Sequence, residues 1–224
     1  MPLSAPLSVR VAAPTDSRVP KPQLLWPTSP GYGDNGGADS AKFPSLTAIK
    51  ARKNARLPAP LAAFVKAAWN AQERILVLDD FLFKPLGDQS LQTRCDQILS
   101  WLPDSLAAND IRFLTNSVGN QVERYAIQKQ FDERAASINR CTPRWAGAVK
   151  IEIRFTLGSK FPYVHDRFAI IDNELWHCGA TVGGLHNLVN AATRGWVAEN
   201  HDAKRFFEDA WNGDGDALRG GRHG

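Results

Sequence analysis

A chain of 224 residues, 43% hydrophobic and 22% charged, can bury one sizeable core and carry an arm beside it, so one domain is the expectation. No run approaches the ~20 consecutive apolar residues of a membrane-crossing helix, which argues against membrane insertion and leaves any lipid to be met from the water side. The net charge of +4 is unevenly placed: residues 1–58 hold eight Lys or Arg against three acids, and the remainder is slightly acidic, so the domain itself is not a basic protein, although its arm is basic.

Residues 1–57 form a Pro/Gly-rich basic arm, expected to be disordered or extended. Pro2, Pro6, Pro14, Pro20, Pro22, Pro27 and Pro30 interrupt any helical or paired-strand period. Within it, Leu24, Leu25 and Trp26 can dock on a surface, and Tyr32 sits in a Gly-rich turn, so an ordered segment or a protein partner is the alternative. Residues 45–56 suit a short helix carrying Lys50, Arg52, Lys53 and Arg56. These are either a solvated basic face or contacts to nucleic-acid phosphates.

From residue 58 the periods are clear. Leu61, Phe64, Val65, Ala68 and Trp69 make a helical stripe, and residues 74–83 an apolar strand. Leu91, Cys95, Ile98, Leu99 and Leu102 give a second helix, residues 111–118 a second strand, Ile127, Phe131, Ala135 and Ile138 a third helix, and residues 149–157 a third strand. Residues 163–172 and 175–181, separated by Asn173 and Glu174, read as a hairpin. Phe206, Phe207, Ala210 and Trp211 mark a last helix, which His201 and Asp202 would cap, before a flexible tail at 213–224. The fold class is α/β: a mixed β-sheet flanked by helices, as one domain over 58–212, with ligands expected near the carboxyl ends of strands. Cys95, Cys141 and Cys178 are an odd number at no metal-like spacing, and no signal-peptide pattern opens the chain, which fits a reducing, cytoplasmic setting.

Side chains alternate along a strand, so His165 and Arg167 would project from one face of the 163–172 segment. A neutral imidazole can attack phosphorus while a guanidinium neutralises the non-bridging oxygens, and neither step needs a metal or cofactor. Asp166 or Asp172 can fix the imidazole tautomer, although parity puts both on the opposite face and Asp172 at the turn, where parity is unreliable. The alternative histidine, His177, lies on the return strand and reads as structural. The segment 183–190, with His186, Asn187 and Asn190, is either an ordinary turn or a helix start offering backbone amides to an anion. Arg194 and Trp196 beyond it either touch substrate or close the core. Asp79 and Asp80, with no second acidic cluster, read as strand-end carboxylates bonded to backbone or Arg rather than as metal ligands.

The spacing His165-x-Arg167-x4-Asp172-x6-Gly179-Ala180 resembles the His-x-Lys-x4-Asp-x6-Gly-Ser motif of the phospholipase D superfamily, and the order of elements over about 58–211 is similar to one half of such an enzyme. Arg replaces Lys at 167, which keeps charge and gains a bidentate fork but removes a proton donor. Ala180 replaces the Ser hydroxyl. The resemblance implies a phospholipase D-like half-domain in which His165, Arg167 and Asp172 are catalytic and Gly179, Thr181, His186 and Asn190 contact substrate. Since members join two motifs in one site and this chain has one, it also implies a homodimer, His165 facing its copy across a two-fold axis. Three readings follow: a metal-independent nuclease working through a phosphohistidine; a catalytically weakened module that binds nucleic acid or protein; and a phosphatidyl-transfer enzyme or lipid hydrolase, which would want Trp176 and Trp196 exposed.

Overall fold

The computed structural model describes residues 19–27, 39–55, 60–116, 118–141 and 147–213, residues 52–55 as backbone only. Tyr32, Arg56 and the tail from residue 214 lie outside the described residues, as do the side chains of Arg52 and Lys53.

The centre of the fold follows from one short strand. In β2 (Arg74–Leu78) the side chains of Ile75, Leu76, Val77 and Leu78 are all fully buried. Alternation sends them to two different cores. Ile75 and Val77 join Phe64, Ile98, Phe113, Phe131 and Trp176, whereas Leu76 and Leu78 join Leu114, Ile170, Phe207 and Trp211. A strand buried on both faces must lie inside a sheet covered on both sides. The helices that cover it are α2 (Ala62–Trp69), α3 (Leu91–Leu99) and α4 (Gln121–Cys141) on the first side and α6 (Ala203–Asn212) on the second. The protein is therefore a mixed α/β fold with a seven-stranded sheet in the order β1-β7-β6-β5-β2-β3-β4.

β3 (Asp110–Leu114) and β4 (Lys150–Arg154) run parallel to β2, and β5 (Phe168–Ile171) pairs with it antiparallel. β6 (Glu174–Cys178), β7 (Ala192–Val197) and β1 (Gln23–Leu25) extend the other side, each antiparallel to its neighbour. The carboxyl ends of β2, β3, β4 and β6 thus share one end of the sheet with the start of β5. α6 is locked to the second side by Arg112 of β3, which binds Glu208 at 2.7 Å and Asp110 at 2.8 Å and lies against the Phe207 and Trp211 rings.

Several expectations are corrected. Part of the arm belongs to the domain: β1 pairs with β7, Leu25 enters the core, and Asp39 accepts hydrogen bonds from the Ala62 and Ala63 amides at the start of α2. β7 is an element beyond those expected from the sequence, and it carries Arg194 and Trp196. Its Gly195 has φ +93°, and a Cβ there would stand 2.5 Å from the Lys21 carbonyl, so the close approach of the N-terminal segment requires glycine. The 163–172 strand begins only at Phe168, and a short helix α5 (Leu157–Lys160) follows β4. Asp202 has φ 53° and makes no side-chain cap to α6, while the His201 ring rests 6.4 Å from that of Trp196.

The outer edge of β4 is closed by two amide side chains of α4. Gln128 accepts from Ile153 N at 3.3 Å and donates to Ile151 O at 3.1 Å. Asn139 accepts from Val149 N at 2.7 Å and donates to Val149 O at 3.2 Å. Each amide copies the donor and acceptor of a neighbouring strand, which blunts an edge that would otherwise pair with another chain.

Candidate functional site

β2 ends in Asp79-Asp80-Phe81, and the turn there is held by Asp79 itself. Its Oδ1 accepts from Phe81 N at 2.8 Å and its Oδ2 from Val182 N at 2.7 Å. One fully buried carboxylate thus ties the end of β2 to the loop that follows β6. Burial pushes this carboxyl up to about 6, since desolvation outweighs the two amide bonds and the nearby Arg167 charge. On the same loop Leu185 O accepts from Nη1 of Arg94 at 2.8 Å. Arg94 is itself buried, its Nε and Nη2 have no hydrogen-bond partner among the described residues, and burial lowers it to about 10 while the Asp79 charge opposes that shift. Cys178 beside them is pushed up to about 12, mainly by burial, so its thiol is inert.

Asp80 is nearly buried, its side chain 11% exposed. Its Oδ1 accepts from Arg167 Nε at 3.0 Å, and its Oδ2 stands 3.4 Å from His165 Nδ1. Arg167 Nε is also 3.7 Å from Asp79 Oδ1, and its guanidinium lies 4.7 Å from the centre of the Phe81 ring. Among the described residues no protein acceptor takes the Arg167 Nη atoms, so the fork is held at its base. The His165 side chain is 77% exposed, with its ring centre 6.4 Å from that of Phe81. A carboxylate beside Nδ1 favours the proton there and leaves the Nε2 lone pair outward.

His165 and Arg167 therefore meet, but on a carboxylate from β2 and not through strand parity, since both precede β5. Asp172 does not join them. It lies at the far end of β5 with φ 55°, and its carboxylate accepts from the amides of Gln72 at 3.0 Å, Glu73 at 2.7 Å and Arg74 at 3.2 Å. Those contacts fasten the start of β2, so the carboxylate beside His165 is that of Asp80 and not that of Asp172. Asp166 is likewise elsewhere, 2.6 Å from His177 Nε2.

The residues expected to contact substrate divide. Gly179 donates its amide to Ala191 O at 3.0 Å, and a Cβ there would meet that oxygen at 3.1 Å; Ala180 and Thr181 are buried. His186 Nδ1 accepts from Leu188 N, and Asn190 Nδ2 donates to Leu188 O, local contacts that do not reach His165. The expected anion-binding helix start is a single turn, Val182–Gly184. Its amides are committed: Val182 N to Asp79, Gly183 N to the Cys178 sulfur and Gly184 N to Thr181 O, and His186 N just beyond it bonds Gly184 O. Lys50 is exposed on α1 (Leu46–Ala55). Trp176 is buried and Trp196 partly so, which removes the exposed tryptophans a lipid entrance would want. Sequence reasoning missed the role of Asp80, Phe81 and Arg94; the adjacent acids at a strand end were the one visible signal.

No helix among the described residues is long and apolar enough to cross a membrane. No group of three or more His, Cys, Asp or Glu that could hold a metal ion occurs among them.

No family model and no curated protein matches this chain. Among solved structures it is similar to TrmBL2, an archaeal chromatin protein described with a novel mode of DNA binding, at 13% identity and a TM-score of 0.38, covering 67% of this chain and 47% of that one. It is similar also to a phosphatidylserine synthase of Haemophilus influenzae Rd KW20, at 16% identity and a TM-score of 0.39, covering 66% and 33%. The chain spans less than half the length of either.

Proposed function

We propose that this chain is a metal-independent phosphodiesterase of the phospholipase D type, acting on nucleic acid, with His165 as nucleophile and Arg167 as phosphate clamp. The observation that carries the reading is the convergence of both side chains on the Asp80 carboxylate at the open end of the sheet. In the reaction, His165 Nε2 bonds to phosphorus as the P–O ester bond breaks, and the leaving oxygen takes a proton. Water then attacks phosphorus as the N–P bond breaks and gives one of its own protons to the group that protonated the leaving oxygen, restoring the acid. Arg167, through its Nη atoms, neutralises the charge that gathers on the non-bridging oxygens.

One chain supplies one His165, and the His177 ring is engaged by Asp166 at 2.6 Å. In the proposed homodimer the acid is His165 of the partner subunit. Exposed Tyr163 and Leu188, on loops at the same end of the sheet, and Val122 and Tyr125 on the first turns of α4 give that end an apolar rim suited to burial against a second copy.

A second reading is favoured by Arg167 lying on Asp80 and by the buried methyl of Ala180 in place of a hydroxyl: the site binds phosphodiesters without cleaving them. Labelled DNA and RNA incubated in EDTA with wild type and His165→Ala separate the two. Cleavage by wild type alone supports the enzyme; equal retention without cleavage supports the binding module and overturns the catalytic reading.

A further inference from the structure

We infer that Lys84, which the motif does not contain, is the uncompensated cation that draws the anionic substrate to this site. The inference rests on the phosphodiesterase reading and adds a residue to it. Around the ring of Phe81 stand three basic groups: Arg167 at 4.7 Å, Lys84 Nζ at 5.1 Å and the His165 ring at 6.4 Å from its centre. Their charges are not equivalent. Arg167 lies against both Asp80, at 3.0 Å, and Asp79, at 3.7 Å, and the other cation near Asp79 is Arg94, which is buried. Two carboxylates and two guanidinium groups cancel. With His165 neutral, as a nucleophile must be, these groups would have no net attraction for a phosphate, and the Asp80 carboxylate would repel it at close range.

Lys84 breaks the balance. It is exposed on the turn after β2, its backbone fixed by the bond from Lys84 N to Phe81 O at 2.9 Å. Among the described residues no carboxylate pairs with its ammonium. The ring of Phe81 holds an ammonium without neutralising it, so the charge stays available at the ring that Arg167 and His165 also border. The flexible four-carbon stem also lets the group follow the phosphate as it moves from ester to phosphohistidine.

The test uses full-length protein and a fluorescent thymidine 12-mer in EDTA, with affinity followed by anisotropy over a range of salt. Wild type, Lys84→Met and Lys84→Arg are compared. Met keeps the apolar packing on Phe81 and removes the charge; Arg keeps both. Lys84→Met should bind about 10-fold more weakly, as expected for one lost charge-assisted contact. Its slope of log affinity against log salt should fall by about 0.7, and Lys84→Arg should restore both. A merely structural role for Lys84 would leave that slope unchanged. If wild type binds while Lys84→Met keeps its affinity and slope, the inference is overturned and the proposed function stands. If wild type does not bind the 12-mer at all, both fall.

Discussion

Asp79 makes the site and the stability of the protein depend on pH in a direction that can be worked out. Its carboxyl is raised from 3.8 to about 6 by burial, so the folded state holds a proton that the unfolded chain has released. A raised acid contributes most to stability below its unfolded value, and that contribution is lost as pH climbs through the folded one. With these two values the protein loses about 2 kcal/mol of stability from this group between pH 4.5 and 7.5. Asp79→Asn removes the titration while keeping the size of the side chain, at the cost of one of the two amide bonds from Phe81 and Val182. Urea unfolding of both proteins at pH 4.5, 6.0 and 7.5 isolates the term as the change in their stability difference. The variant should look worst at pH 4.5 and gain about 2 kcal/mol relative to wild type by pH 7.5. A difference that stays constant over that range would refute the burial argument.

Asp172→Ala leaves the amides of Gln72, Glu73 and Arg74 without an acceptor and should cost about 2 kcal/mol in urea unfolding; kcat of the folded fraction should be unchanged, whereas a catalytic Asp172 would lower it. Replacing Gln128 and Asn139 by Ala together exposes the β4 edge, so light scattering should report mass that rises with concentration beyond that of wild type; an unchanged mass would sink the edge-cap account. Arg167→Lys should retain oligonucleotide affinity to within about 10-fold because the charge stays, while Arg167→Ala should lower kcat by roughly 100-fold or more. Equal kinetics for the two would remove Arg167 from the reaction.

The parts of the fold legible in the sequence were those with a strong period. The Ile75 to Leu78 run, the α3 and α4 stripes and the hairpin at Asn173 each bury one face or both, and apolar spacing records that directly. The site was legible only where its residues are neighbours in the chain. His165 and Arg167 could be paired by spacing, but their shared partner Asp80 lies 87 residues from Arg167, and nothing local to either segment points across that gap. Asp172 was misread because its αL backbone turns the carboxylate back onto the start of β2. Arg94 was hidden by its type, since a charged residue inside a helical stripe reads as surface until a buried carboxylate is found beside it. β7 escaped because Thr193-Arg194-Gly195 interrupts its apolar alternation; its pairing comes from β6 and β1 on either side.

The central claim is a covalent bond between His165 Nε2 and phosphorus, and trapping it is the most direct test. Wild type and His165→Ala are mixed with an internally labelled oligonucleotide in EDTA, quenched in base within a turnover, digested and read by mass spectrometry. The account predicts a phosphoramidate on the peptide containing His165, stable to base, lost in acid and absent from the variant. Cleavage that proceeds with that peptide unmodified, or with the label on another residue, would contradict it.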